Sequence, residues 1–327
     1  MVGGLGLVSF RNLSFSCGLV VGSIIFSLVS PSWIGIWVGM EMNLFGAITL
    51  LVNNKKRAVD SSFKYFFAQS FGSSVMIMSL VVGMWSVGGP LTSGLIAGLM
   101  MKVGAAPFHF WVVEVLDHIR LDCMWFLLTV QKFVPLCAIC QGFYESWILY
   151  ICSGASVLVG SASGVGATRL SRFVGYSSVA HTGWSLAACL GGLGVLWYYL
   201  LAYWASLGGF LYLMSGDGYL CSVSGGSVRR SSFSGGICVF LLSLGGFPPF
   251  LGFFGKLAVL LVVVSSCPVL SLPLIIGSVV SWSYYLFVMS FCIIQGSKCS
   301  KRSRSDRIFV LVLLLSLPYF LCLHVFF

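Results

Sequence analysis

The chain has 327 residues, of which 58% are hydrophobic and only 8% charged, with a mean hydropathy of +1.02. Ordinary globular domains carry about 25% charged residues, so the composition excludes a soluble fold and reads as an all-α polytopic membrane protein. The formal charge of +10 would suggest nucleic acid in a soluble protein; here it reads as the Lys/Arg excess on one face of a membrane protein, and no nucleic-acid partner is expected.

Apolar runs of about 20 residues, one per membrane crossing, predict eleven transmembrane helices. The first covers 13–29 and stops at Ser30-Pro31. The second covers 33–52 and carries Glu41. The third runs over 63–87, ending at Gly88-Gly89-Pro90. The fourth, 91–113, carries Lys102 and is broken near Pro107, with His109 just beyond. Lys132 and then Pro135 lie in the fifth, 123–143. The sixth covers 147–167, the seventh 173–190 with His181, and the eighth 195–214. In the ninth, 235–264, the sequence Gly245-Gly-Phe-Pro-Pro249 falls mid-span and Lys256 follows it. The tenth covers 269–294 and the eleventh 308–327. No soluble domain interrupts them, and no cleavable targeting segment is expected at the N-terminus. The pairs Gly18/Gly22, Gly35/Gly39 and Gly160/Gly164, each four residues apart, predict close helix-packing faces.

The loops test this count. Numbered from the N-terminal side, fifteen of the 18 Lys and Arg fall in segments on that side, and none in segments on the other. The remaining three, Lys102, Lys132 and Lys256, lie inside predicted helices. Positive charge stays on the side from which helices insert, so the N-terminus is expected on the matrix or cytoplasmic face and the C-terminus opposite. The fourth and ninth helices each combine a Gly/Pro break with a lysine. Paired broken helices point to an internally repeated transporter, within one transmembrane domain spanning 1–327 and halves at about 33–167 and 173–327.

Charges within spans are costly and mark function. A lysine near a helix end can snorkel to the interface, a reading that fits Lys256 better than Lys102 or Lys132. Glu41 could be a fixed structural partner to a lysine. His181 is as readily a hydrogen-bonded core histidine as a proton carrier; His109 leans towards function. Glu114, Asp117, His118, Arg120 and Asp122 read as a solvated loop. Burial lowers a lysine pKa and a neighbouring carboxylate raises it. A lysine that alternately gains and loses contact with an acid can therefore take up and release a proton, and a row of such groups forms a relay. The chain carries no driver for pumping. Gly252-Phe-Phe-Gly-Lys256 lacks the P-loop spacing, and no dinucleotide fingerprint or haem motif occurs. Among 12 cysteines the one C-x-x-C, Cys137-Ala-Ile-Cys140, reads as apolar packing.

Six motifs then occur in order: Trp37-Val-Gly-Met-Glu-Met-Asn43, Lys64-Tyr-Phe-Phe-Ala-Gln69, Lys102-Val-Gly-Ala-Ala-Pro-Phe-His-Phe-Trp111, Gln131-Lys-Phe-Val-Pro135, Tyr176-Ser-Ser-Val-Ala-His-Thr-Gly-Trp184 and Gly245-Gly-Phe-Pro-Pro-Phe-Leu-Gly252. Together they resemble the antiporter-like membrane subunits of mitochondrial respiratory complex I, the chain 2 family of NADH–ubiquinone oxidoreductase. The resemblance implies an antiporter-like inverted repeat with two broken helices, in the mitochondrial inner membrane. The implied chain is multi-pass, with its N-terminus in the matrix and its C-terminus in the intermembrane space. It implies a proton-conducting subunit of NADH:ubiquinone reductase with no redox chemistry of its own. NADH, FMN, iron–sulfur clusters and ubiquinone would belong to other subunits. The expected partners are the other membrane-arm subunits, including neighbouring antiporter-like chains, and lipids such as cardiolipin. The resemblance puts the family's half-channel glutamate on Glu41, its partner lysine on Lys102, the connecting lysine on Lys132 and the exit-side lysine on Lys256. His109 and His181 fall in family motifs and are candidates for the same relay. One departure is Val113-Glu114, where the family commonly has Pro-Glu. The competing readings are a subunit of a multisubunit sodium/proton antiporter, and a spacer that only joins other subunits. Sodium sites favour carboxylates and carbonyls, so one buried acid against three lysines favours protons.

Overall fold

The computed structural model describes residues 3–52, 56–85, 91–142, 147–215 and 234–296. Among these residues twelve α-helices follow in chain order: α1 Gly3–Val29, α2 Trp33–Leu51, α3 Lys56–Trp85, α4 Leu91–Val103, α5 Phe110–Leu116, α6 Leu121–Gly142, α7 Trp147–Val165, α8 Leu170–Ala188, α9 Gly192–Ser215, α10 Ser234–Gly245, α11 Leu251–Ser266 and α12 Pro268–Gly296. No strand occurs among the described residues. Among the described residues six helical stretches are long and apolar enough to cross a membrane: Trp33–Leu51, Ala58–Gly83, Leu121–Gly142, Trp147–Val165, Leu170–Met214 (which holds both α8 and α9) and Pro268–Ser290. The expected eleventh helix, 308–327, lies outside the described residues, as do the basic residues of 229–230 and 298–307.

Helix boundaries follow local chemistry. Ser32 caps α2, its side chain accepting from the Gly35 backbone N–H at 3.2 Å. Helix α3 begins at Lys56, ahead of the expected 63, because Lys56-Arg-Ala-Val-Asp60 holds no helix breaker. Helix α5 runs to Leu116, so Glu114 belongs to a helix and not to the loop expected there.

The chain forms two compact units, Met1–Ile148 and Leu149–Phe327. In the first, α6 is the central helix, with Leu127, Leu128, Lys132, Val134 and Ile139 all buried. A helix apolar all round belongs in a core. Outward-facing Phe63, Phe67 and Phe71 on α3 are all largely exposed, as suits a lipid-facing surface. In the second unit α8 is central, with Phe173, His181, Thr182 and Trp184 all buried. Of the expected glycine faces, Gly160 and Gly164 hold: an added Cβ would lie 2.5 Å from the Ala180 nitrogen on α8 and 2.7 Å from the Tyr284 ring on α12. Gly39 lies against Ser27 of α1, where a Cβ would meet that side chain at 2.7 Å. Gly18 and Gly22 do not pack within the described residues: none of their atoms lies within 4 Å of a Cβ built on either, so α1 turns that face away from its described neighbours.

Candidate functional site

Both broken helices end the same way. At the first break Gly104 sits at φ +76°, the Ala105 N–H donates to the Met100 carbonyl at 3.1 Å, and the Gly104 N–H lies 3.3 Å from the Met101 carbonyl. At the second, Gly246 sits at φ +78°, the Phe247 N–H donates to Leu242 at 3.1 Å, and the Gly246 N–H to Ser243 at 3.0 Å. This is the Schellman cap, in which a left-handed glycine turns the chain so that the next two N–H groups satisfy the last free carbonyls. Two residues past each glycine comes a cis X-Pro peptide, Ala106-Pro107 or Pro248-Pro249.

In the first unit, Lys102 occupies the last turn of α4, directly before the break. Its ammonium donates to Glu41 Oε1 on α2 at 3.0 Å; the lysine side chain is 2% exposed and the glutamate 22%. Side chains tie off the carbonyls that the interrupted helix leaves behind. Gln69 Nε2 donates to the Lys102 carbonyl at 3.1 Å, and Trp111 Nε1, from beyond the break, to Met101 at 3.0 Å. His109 is buried at the N-terminus of α5, and its Nδ1 lies 3.3 Å from the Pro107 carbonyl, a contact that holds with the proton on Nδ1.

Lys132 is buried on α6 beside Gln131. The Gln131 amide exchanges two hydrogen bonds with Asn43 of α2, at 3.0 and 3.1 Å, and accepts a third from the Tyr65 hydroxyl at 3.1 Å. Asn43 is two residues from Glu41, so α2 carries both the acid and the anchor of this buried network. The Lys64–Glu114 pair, at 2.7 Å, is more than half exposed on both sides and contributes about 0–1 kcal/mol at most.

In the second unit, Lys256 lies on α11 and reaches back across the break to donate to the Gly245 carbonyl at 2.8 Å. A cation there also faces the negative end of the α10 dipole. Its ammonium is 5.6 Å from the Trp184 ring centre. Trp282 of α12 donates its indole N–H to the same carbonyl, also at 2.8 Å. His181 is held by tyrosines: its Nδ1 lies 2.7 Å from the Tyr199 hydroxyl, its Nε2 3.5 Å from that of Tyr285, and its ring stacks on Tyr203 at 4.5 Å. His181, Trp184, Lys256, Ser281 and Tyr285 line one cavity of about 10 Å³, room for one water molecule.

The structure therefore joins Glu41 with Lys102, and His181 with Lys256 around a shared cavity. Lys132 and His109 each sit in their own surroundings. Cys137 and Cys140 are both buried in α6, and no group of three or more metal-binding side chains occurs among the described residues. Sequence reading missed Gln69, Trp111, Asn43, Gln131, Tyr65 and Trp282. The first five lay within the quoted motifs, where each is a polar or amphipathic side chain in an apolar run, and that was the signal available. Trp282 lay in no motif.

The family described as "NADH:quinone oxidoreductase/Mrp antiporter, TM" matches residues 30–93 and 90–281. The chain is 33% identical over 257 residues to NADH-ubiquinone oxidoreductase chain 2 of Anopheles gambiae, covering 75% of this chain and 74% of that one. Among solved structures, a chain of respiratory complex I from Thermus thermophilus superposes with a TM-score of 0.81 at 21% identity, over 95% of this chain and 79% of that one. A chain of the Mrp complex from Dietzia sp. superposes with a TM-score of 0.73 at 15% identity, over 83% of this chain and 59% of that one. The last two likenesses establish a shared fold.

Proposed function

The chain belongs to the NADH–ubiquinone oxidoreductase chain 2 family, and from that membership we propose that it translocates protons as a membrane subunit of respiratory complex I. The observation that carries the reading is the ion pair at the first break: a lysine with a 2% exposed side chain, held by one carboxylate, at the end of an interrupted helix. A buried ion pair is poor value for stability, because desolvation offsets most of the attraction. A pair whose partners separate is useful, because the lysine then holds its proton less tightly than when paired. Glu41, the more open partner, exchanges the proton with the outside. Lys102 passes it on, Lys132 connects, and Lys256 releases it, with His109 and His181 as further carriers.

Moving one charge against 100 mV takes about 2.3 kcal/mol, so the driving reaction lies in other subunits. These hold the NADH, FMN, iron–sulfur and ubiquinone chemistry, and this chain contributes no redox step to the NADH:ubiquinone reductase. Its partners are the other membrane-arm subunits, including antiporter-like chains, with cardiolipin as a candidate lipid. The topology proposed is eleven spans in one domain. It comprises an inverted repeat with halves at about 33–167 and 173–327, in the mitochondrial inner membrane, N-terminus in the matrix and C-terminus in the intermembrane space. The basic-residue distribution supports the orientation, and the matching caps at Gly104 and Gly246 support the repeat.

A second reading, a subunit of a multisubunit sodium/proton antiporter, is favoured by the fold shared with the Mrp complex. Against it, three of the four charged relay candidates are lysines, which repel a sodium ion. The test is protons translocated per NADH oxidised in sealed vesicles, normalised to assembled complex. Glu41→Gln and Lys132→Met should each lower it several-fold. Unchanged pumping in both would leave these charges structural and sink the relay.

A further inference from the structure

Gly245 carries a carbonyl that the next helical turn cannot satisfy. In a continuing α-helix it would accept from the N–H four residues on, and in a tightened turn from the N–H three residues on. Those residues are Pro249 and Pro248, and neither has an N–H. The carbonyl is buried, where an unmet acceptor is costly. Two side chains meet it: Lys256 Nζ at 2.8 Å and Trp282 Nε1 at 2.8 Å. Trp282 is fixed in turn by Phe247 of the break, whose ring stacks on the indole at 4.7 Å and 27°. Among the described residues of this unit, from Leu149 on, no carboxylate side chain occurs.

We infer that Trp282 is a positioning residue for Lys256: its indole N–H shares the Gly245 carbonyl with the ammonium, so that the lysine can leave this oxygen without stranding it. The inference rests on the relay reading of Lys256. A lysine that is the sole donor to a buried carbonyl is anchored there, because every departure leaves an orphan acceptor. With the indole in place, the carbonyl keeps one partner throughout. The lysine is then free to swing toward the cavity that it shares with His181 and Ser281 and to come back. Trp282 carries no proton; it makes the lysine contact reversible.

Histidine isolates the donor from the bulk. The imidazole overlays the pyrrole ring of indole, with Nε2 in the place of Nε1, whereas phenylalanine keeps the stacking on Phe247 and has no N–H. The experiment compares complex carrying Trp282→Phe, Trp282→His or Lys256→Met, read as protons translocated per NADH oxidised and normalised to assembled complex. Trp282→Phe should lower pumping about fivefold, the worth of one hydrogen bond, and Trp282→His should recover most of it. If packing alone mattered, phenylalanine would equal or exceed histidine, and that ranking overturns the inference. Full pumping by Trp282→Phe overturns it too. If Trp282→Phe does not assemble, Trp282→Leu takes its place as the donor-free variant. Lys256→Met separates the two claims. Pumping lost there but intact in Trp282→Phe removes the role of Trp282 and leaves the relay standing, while full pumping by Lys256→Met removes both.

Discussion

At Gly104 the chain leaves α4 through a left-handed glycine, with the lysine two residues upstream and its ammonium on a carboxylate. At Gly246 it leaves α10 through the same cap, but the lysine comes ten residues downstream and reaches back to the carbonyl that the break exposes. One backbone device thus supports two kinds of cation site. In the first, a partly exposed carboxylate neutralises the lysine, and opening the pair leaves two unmatched charges. In the second, a neutral carbonyl holds the lysine, and a tryptophan shares the load. The first site resists opening more strongly than the second, so it is the natural place for an external event to act.

The comparison can be broken at the shared device. Replacing Gly246 by valine forces a β-branched residue to φ +78° and drives its Cβ into the Lys256 side chain, whose Cδ would lie 2.8 Å away. The left-handed backbone costs about 1–2 kcal/mol and the crowding about 1–3 kcal/mol. Gly246→Val should therefore lower the assembled complex sharply, measured by native electrophoresis. Assembly at the normal level would mean that the left-handed cap is not needed. A smaller effect is expected at the first break. Gln69→Leu removes the donor to the buried Lys102 carbonyl, which costs about 1–3 kcal/mol. It should lower the thermal stability of the complex by a few degrees while Lys102 keeps Glu41. Loss of all pumping in a stable Gln69→Leu complex would show that the glutamine acts on the proton path and not on the break.

What could be read ahead differed by kind of information. Both breaks were legible, because proline has no N–H to continue the helix and its ring clashes with the preceding turn, and a glycine just upstream lets the chain turn away. The buried lysines were legible because a charge in an apolar run is rare. The start of α3 was not, since Lys56 and Arg57 look like loop residues. Nor was the face presented by α1: Gly18 and Gly22 have the spacing of a packing motif, yet what lies opposite them depends on another helix. The same holds for Trp282. It is 37 residues from the carbonyl it meets, and nothing local to it announces a partner that Pro248 and Pro249 created.

In the proposed relay the lysines matter as releasable protons and not as fixed charges. Lys102→Arg tests it most directly. Arginine keeps a positive charge opposite Glu41 and pairs well with a carboxylate, yet does not release its proton in proteins. The measurement is protons translocated per NADH oxidised by sealed vesicles containing the Lys102→Arg complex. If proton release is what matters, assembly is normal and pumping falls as far as in Lys102→Met. Full pumping by the arginine variant would contradict it, because a permanent charge would then be enough.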